Sequence, residues 1–122
     1  MKFSNPSEMD RCTAEELLSR GSNDEIRETL AAISLNEADW AWVQEKCLQC
    51  SRHPNWSVRA VAATCFGHLA RIHRTLELPK VLPRLMDLVD DPMTADYAQN
   101  ALDDIRTYMP GLLEGHFQPR RS

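Results

Sequence analysis

Two pairs of candidate metal ligands stand out in the sequence, because cysteine and histidine recur at the spacing that zinc sites use. Cys47 and Cys50 form a Cys-x-x-Cys pair, and Cys65 and His68 form a Cys-x-x-His pair. Four such ligands hold a tetrahedral Zn²⁺ when their side chains converge. If the two segments are antiparallel helices that turn near Pro54, however, Cys50 and Cys65 are offset by roughly 10 Å along the helix axis. We therefore predict buried, apolar cysteines and no metal site.

Other chemistry is not supported by the sequence. A redox role for Cys47 and Cys50 would need the N-terminus of a helix to lower a thiol pKa, whereas this pair lies near the predicted C-terminus of its helix. The chain has no Gly-flanked serine elbow, no glycine-rich phosphate loop and no His-Glu-x-x-His motif. We accordingly expect no catalytic residues, no cofactor and no enzymatic activity.

Carboxylates are concentrated in the C-terminal third of the chain. Between Arg84 and Arg106 there is no Lys or Arg, while six aspartates occur. Five of them and one asparagine make up the predicted acidic surface: Asp87, Asp91, Asp96, Asn100, Asp103 and Asp104. Carboxylates on a rigid helix would attract a basic partner and fix its orientation. Solvation of the helix explains the same residues equally well, and both interpretations stay open at this point.

Trp42 is a candidate anchor for the same kind of interface. It lies two residues after Trp40, about 200° around the predicted third helix and therefore off the apolar stripe. Exposed tryptophans on polar faces are frequent anchors of protein interfaces. The alternative is that Trp42 packs against the N-terminal segment, at Phe3 or Met9.

A basic candidate surface lies on the predicted fourth helix. His68, Arg71 and Arg74 recur every three residues and share one face of the helix. Such a row of cations can contact the phosphates of a nucleic acid. The whole chain carries a net charge of −4, which is far from the basic balance of most nucleic-acid-binding domains. Nucleic-acid binding is therefore the alternative and not the main hypothesis.

The elements that must position these residues are predicted to be helices within one domain. Caps, prolines and apolar spacing place six helices at about residues 13–20, 23–35, 36–52, 55–73, 79–89 and 94–109. The helical domain then covers 13–109, with an N-terminal extension at 1–12 and a C-terminal tail at 110–122. Neither a signal peptide nor an apolar run of ~20 residues is visible, so we expect a cytoplasmic protein without a membrane span.

The segment 54–70 resembles the second helix of a HEAT repeat, with a cap, a Val58-Arg59 pair and a run of small residues. Sliding it back by 32 residues lays that pair on Ile26-Arg27, and sliding it forward by 36 matches the apolar positions of the sixth helix. The resemblance implies an all-α fold of about three stacked helical hairpins, a HEAT-like right-handed α-solenoid. It also implies that Arg27 and Arg59 bond to neighbouring helices.

HEAT-like proteins are binding surfaces more often than enzymes, so the resemblance implies a non-catalytic protein-binding module. Some small, acidic bacterial immunity proteins are HEAT-like, and this chain is similar to them in size and charge. The hypothesis is therefore an inhibitor that binds and masks a basic partner, such as a toxin nuclease. HEAT-like DNA glycosylases and bilin lyases suggest the alternatives of a nucleic-acid-binding protein or a lyase-type accessory protein.

Overall fold

The computed structural model describes residues 10–111, and in this part of the chain it contains helices and no strands. The six helices are α1 (Arg11–Arg20), α2 (Asn23–Asn36), α3 (Trp40–Cys50), α4 (Trp56–His73), α5 (Leu78–Val89) and α6 (Ala95–Tyr108). The predicted all-α fold is thus confirmed. None of the helices in the described range is both long and apolar enough to cross a bilayer.

The caps of the first three helices lie elsewhere than the residues at which the sequence pattern predicted their starts, Thr13, Asn23 and Asn36. Thr13 does not cap α1, because the carboxylate of Asp10 lies outside the helix and accepts a hydrogen bond from the Thr13 N–H at 2.8 Å. Ser22 caps α2 and forms a reciprocal capping box with Glu25. Asp39 caps α3. In each case a short polar side chain just upstream satisfies the free N–H groups of the first turn.

The six helices form two layers. Connections of two to five residues join α1 to α2, α3 to α4, and α5 to α6, so each pair is an antiparallel hairpin. α4 packs most extensively on α6 and on α2, and these three parallel helices form what we call the inner layer. α1, α3 and α5 form the outer layer, in which each helix packs mainly on the inner layer. This arrangement is a stack of three helical hairpins.

The middle of the inner layer is the most closely packed part of the core. On α4, Phe66 and Leu69 are fully buried among small residues. Gly67 sits where α4 and α6 approach each other: a Cβ at this position would lie 2.5 Å from the Asp104 Oδ2 and 3.4 Å from the Ala101 Cα. The small residues of α4 thus allow helix backbones on two sides to come near.

Polar side chains tie each hairpin of the stack to the next. Arg27 on α2 donates to the Ser57 Oγ at the start of α4, at 2.6 Å. Arg59 on α4 donates to the Asp91 Oδ2 in the α5–α6 connection, at 3.1 Å, and to the carbonyl of His53. Arg27 therefore bonds to a neighbouring helix, as the HEAT resemblance implies, whereas Arg59 bonds to the connections before α4 and between α5 and α6.

Hydrogen bonds also join neighbouring hairpins in the outer layer, again between residues about one repeat apart in the sequence. The fully buried Gln44 exchanges two hydrogen bonds of 2.7 Å with Glu77, one through its amide NH₂ and one through its carbonyl oxygen. Arg84 on α5 donates to the side chain and the carbonyl of Ser51, at the end of α3. Buried polar groups that are fully satisfied in this way fix the register between hairpins.

Candidate partner-binding surface

The exposed face of α6 carries three members of the predicted acidic surface. Its apolar stripe packs into the core, which leaves Asp96, Asn100 and Asp103 exposed. The Asp103 carboxylate accepts hydrogen bonds from Gln99 and Arg106 on the same helix, both at 3.3 Å. Asp96 lies in the first turn, where its negative charge interacts favourably with the positive end of the helix dipole. These three side chains form an acidic and amide-bearing strip on α6.

The other three aspartates of the predicted surface have contacts within the fold. Asp87 is exposed and accepts a hydrogen bond from Arg84 at 2.7 Å. Asp91 binds Arg59, and hydrogen bonding from the Met93 N–H, together with that from Arg59, lowers the pKa of its carboxyl. Asp104 is half-buried beside Gly67. The structure therefore brings only part of the predicted set together on one open face.

Trp42 lies between α1 and α3, on the opposite layer from α6. Its indole N–H donates to the Glu15 Oε2 at 2.8 Å, and the Arg11 guanidinium lies 4.5 Å from the ring centroid. Lys46 donates to the other oxygen of Glu15 at 2.6 Å. The half-buried tryptophan thus holds α1 on α3. Its predicted role as a partner anchor stays a prediction, and the alternative contacts with Phe3 or Met9 lie outside the described residues.

The three residues of the basic alternative point to different neighbours. His68 is half-buried, and its Nδ1 lies 3.0 Å from the Ser34 Oγ on α2. Arg71 is exposed. Arg74 ends α4 in the left-handed conformation, with φ of 55°, and its guanidinium stacks 5.4 Å from the Tyr108 ring centroid on α6. Arg71 and Arg74 are both exposed, whereas His68 contacts α2.

The three cysteines at metal-ligand spacing lie in the core. Cys47, Cys50 and Cys65 are buried, whereas Cys12 is exposed. Burial raises the pKa of Cys50 to about 11. Hydrogen bonding with Cys65, together with burial, raises the pKa of Cys47, and the same bond lowers that of Cys65. Within residues 10–111, no group of three or more His, Cys, Asp or Glu side chains is arranged to hold a metal ion.

Three exposed apolar side chains near the acidic strip were not singled out by the sequence patterns. Trp56, Met93 and Tyr97 are 39%, 49% and 42% exposed. Tyr97 had a detectable signal, because it stands off the apolar stripe of α6 just as Trp42 stands off that of α3. The sequence carries no such signal for Trp56 and Met93, because both lie at helix starts, where buried apolar residues are also common.

The comparisons with known proteins agree with this architecture. A family model described as HEAT repeat matches residues 43–73, which cover most of α3 and all of α4. The middle hairpin therefore matches the HEAT repeat, and the stack as a whole is HEAT-like. No curated protein matches the sequence.

Among solved structures, the chain is similar to one in the crystal structure of a CDI complex from Cupriavidus taiwanensis LMG 19424. The two share 28% sequence identity with a TM-score of 0.76, and the match covers 88% of this chain and 97% of that one. The likeness thus extends over the whole stack and not over a single repeat.

Proposed function

We propose that this protein is a non-catalytic binding module of the toxin-immunity type, which binds a toxin and masks it. The observation that carries the proposal is the near-complete match to a chain of a CDI complex, since 97% of that chain is covered at 28% identity. A HEAT repeat in the middle hairpin supports it, because stacked hairpins act as rigid binding surfaces. We place the protein in the cytoplasm, where such a partner would have to be neutralised.

The proposed partner is a basic protein such as a nuclease domain. The net charge of −4 and the acidic strip of α6 support this choice, because opposite charge speeds encounter and selects the partner. In the proposed complex Asp96, Asn100 and Asp103 make the contact. Asp87, Asp91 and Asp104 border it. The carboxylates take the places where a nuclease would bind phosphates, and so they block its substrate.

Isolation of the complex from native cells tests this function. Tagged protein is recovered at low and at moderate salt, and the eluate is analysed by mass spectrometry and with a nucleic-acid stain. We expect one basic protein at a stoichiometric amount, whose toxic activity the chain inhibits. Nucleic acid that salt removes, in the absence of such a protein, would contradict the proposal and favour the basic alternative at His68, Arg71 and Arg74.

A further inference from the structure

A patch of exposed apolar side chains lies beside the acidic strip of α6. Trp56 begins α4, Met93 precedes the start of α6, and Tyr97 lies in the first turn of α6. Their exposed fractions of 39%, 49% and 42% are large for such side chains. Single exposed apolar residues are ordinary on protein surfaces, whereas neighbouring ones from two helices indicate a contact site.

Hydrogen bonds bring the segment that holds Met93 beside the start of α4. The Asp91 carboxylate accepts from Arg59 at 3.1 Å and from the Met93 N–H at 3.0 Å, so Met93 is held against the first turn of α4. Trp56 precedes Arg59 by one turn of α4, and Tyr97 follows Met93 by four residues. Trp56 and Arg59 are three residues apart and lie on one face of α4. Trp56, Met93 and Tyr97 thus lie at the adjoining starts of α4 and α6, and we call these three exposed residues the apolar patch.

The exposed charges nearest in sequence to Met93 and Tyr97 are acidic. Asp90 and Asp96 flank the apolar patch and are exposed. Among the described residues, two cations at the adjoining helix starts are paired, since Arg59 binds Asp91 and Arg27 binds both Asp24 and Ser57. Another cation, the exposed Arg52, lies near Arg84 of the outer layer. An apolar centre with an acidic rim is thus presented to solvent.

We propose that the apolar patch is the centre of the interface with a basic protein partner, and that Asp90 and Asp96 form its rim. This inference rests on the proposed function and specifies where that partner binds. Tryptophan, tyrosine and methionine are enriched at interface centres, and charged residues lie around them. A second copy of this chain is a poorer occupant, because a two-fold contact through the patch would place the acidic rim against itself.

Site-specific photo-crosslinking in native cells tests the inference, with p-benzoylphenylalanine placed at Tyr97 or at Ile72. Ile72 is the matched control, because it is also 42% exposed but lies near the C-terminus of α4, away from the patch. We expect the probe at position 97 to capture one basic protein in high yield and the probe at position 72 to capture little. Self-crosslinking at position 97, which doubles the mass of the chain, would instead show a second copy and overturn the inference.

Affinity measurements with the captured protein give a second readout. We expect Tyr97→Ala and Met93→Ser each to weaken binding, by roughly 30-fold at Tyr97, while Ile72→Ala has little effect. Both substitutions are at exposed positions, and thermal unfolding checks that each variant folds. If the partner binds but only the Ile72 variant loses affinity, the inference fails and the proposed function stands. If neither probe position crosslinks and the wild-type chain binds no basic protein, both fail together.

Discussion

At the scale of single residues, the same side-chain type has different roles according to its partners. Asp96 is exposed on α6, whereas Asp91, with the same carboxylate, holds two elements together through Arg59 and Met93. Trp42 and Tyr97 both depart from the apolar stripes of their helices. Trp42 is covered by α1, but Tyr97 stays 42% exposed. A residue can therefore be assigned to binding only after its contacts in the fold are known.

The burial of three cysteines leads to a prediction about thiol reactivity. Only Cys12 is exposed, while Cys47, Cys50 and Cys65 are inside the core. The thiolate is the reactive form, and a thiol without access to solvent reacts slowly. In titration with Ellman's reagent we expect one fast thiol in the native protein and four after unfolding. Rapid reaction of three thiols in the native state would contradict the core packing described above.

The contact of Trp42 with Glu15 leads to a prediction about pH. Hydrogen bonds from Lys46 and from the indole lower the pKa of the Glu15 carboxyl. A lowered pKa in the folded state stabilises the protein above the unfolded pKa, and this stabilisation is lost as the pH falls through the folded value. We expect Glu15→Gln to lower the unfolding temperature at pH 7. The difference in unfolding temperature between Glu15→Gln and the wild type should shrink as the pH falls from about 5 to about 3.

The exposed neighbour Glu16 provides the control for this measurement. Thermal unfolding of Glu16→Gln, followed by circular dichroism over the same pH range, should track the wild type. A gap for Glu15→Gln that stays constant with pH would show that the carboxylate charge does not stabilise the α1–α3 contact.

At the scale of helices, close approach between α4 and α6 depends on the absence of a side chain at Gly67. We expect Gly67→Val to destabilise the fold by about 2 kcal/mol, because the added carbons meet Ala101 and displace Asp104. Chemical denaturation measures the loss. Gly111→Val is the control, since an added Cβ there has no atom within 4 Å. Equal stability of the two variants would contradict tight packing between these helices.

The helices themselves were largely predictable from local signals, and so was the cap of α4, but the caps of the first three helices were not. The start of α4 follows from Pro54 and Asn55, whose effects act within a few residues. The start of α1 was predicted at Thr13, because a threonine followed by a glutamate imitates a capping box. Asp10 instead accepts a hydrogen bond from the Thr13 N–H, and α1 begins at Arg11. Two caps within three residues cannot be ranked by sequence spacing alone.

At the scale of the whole molecule, the repeat determines the architecture and the long-range contacts determine the site. Arg59 and Asp91 are 32 residues apart, so the loss of Asp91 from the open acidic surface depends on the stack and not on local sequence. The apolar patch likewise needs α4 and α6 to lie side by side. A repeat pattern can predict that arrangement, but it does not say which side chains stay uncovered. Sequence patterns therefore predict the fold more completely than they predict which side chains stay exposed.

The charge of α6 is central to the proposed function, and its reversal is the most direct test. Asp96→Lys with Asp103→Lys changes the charge by two at each position, which takes the net charge from −4 to 0. Glu16→Lys with Glu28→Lys makes the same change at exposed positions on α1 and α2. The captured partner's affinity for each double variant is measured by calorimetry at moderate salt. We expect a loss of at least tenfold for the α6 variant alone, with both variants folded. Equal affinities for the two variants would contradict binding through the acidic strip.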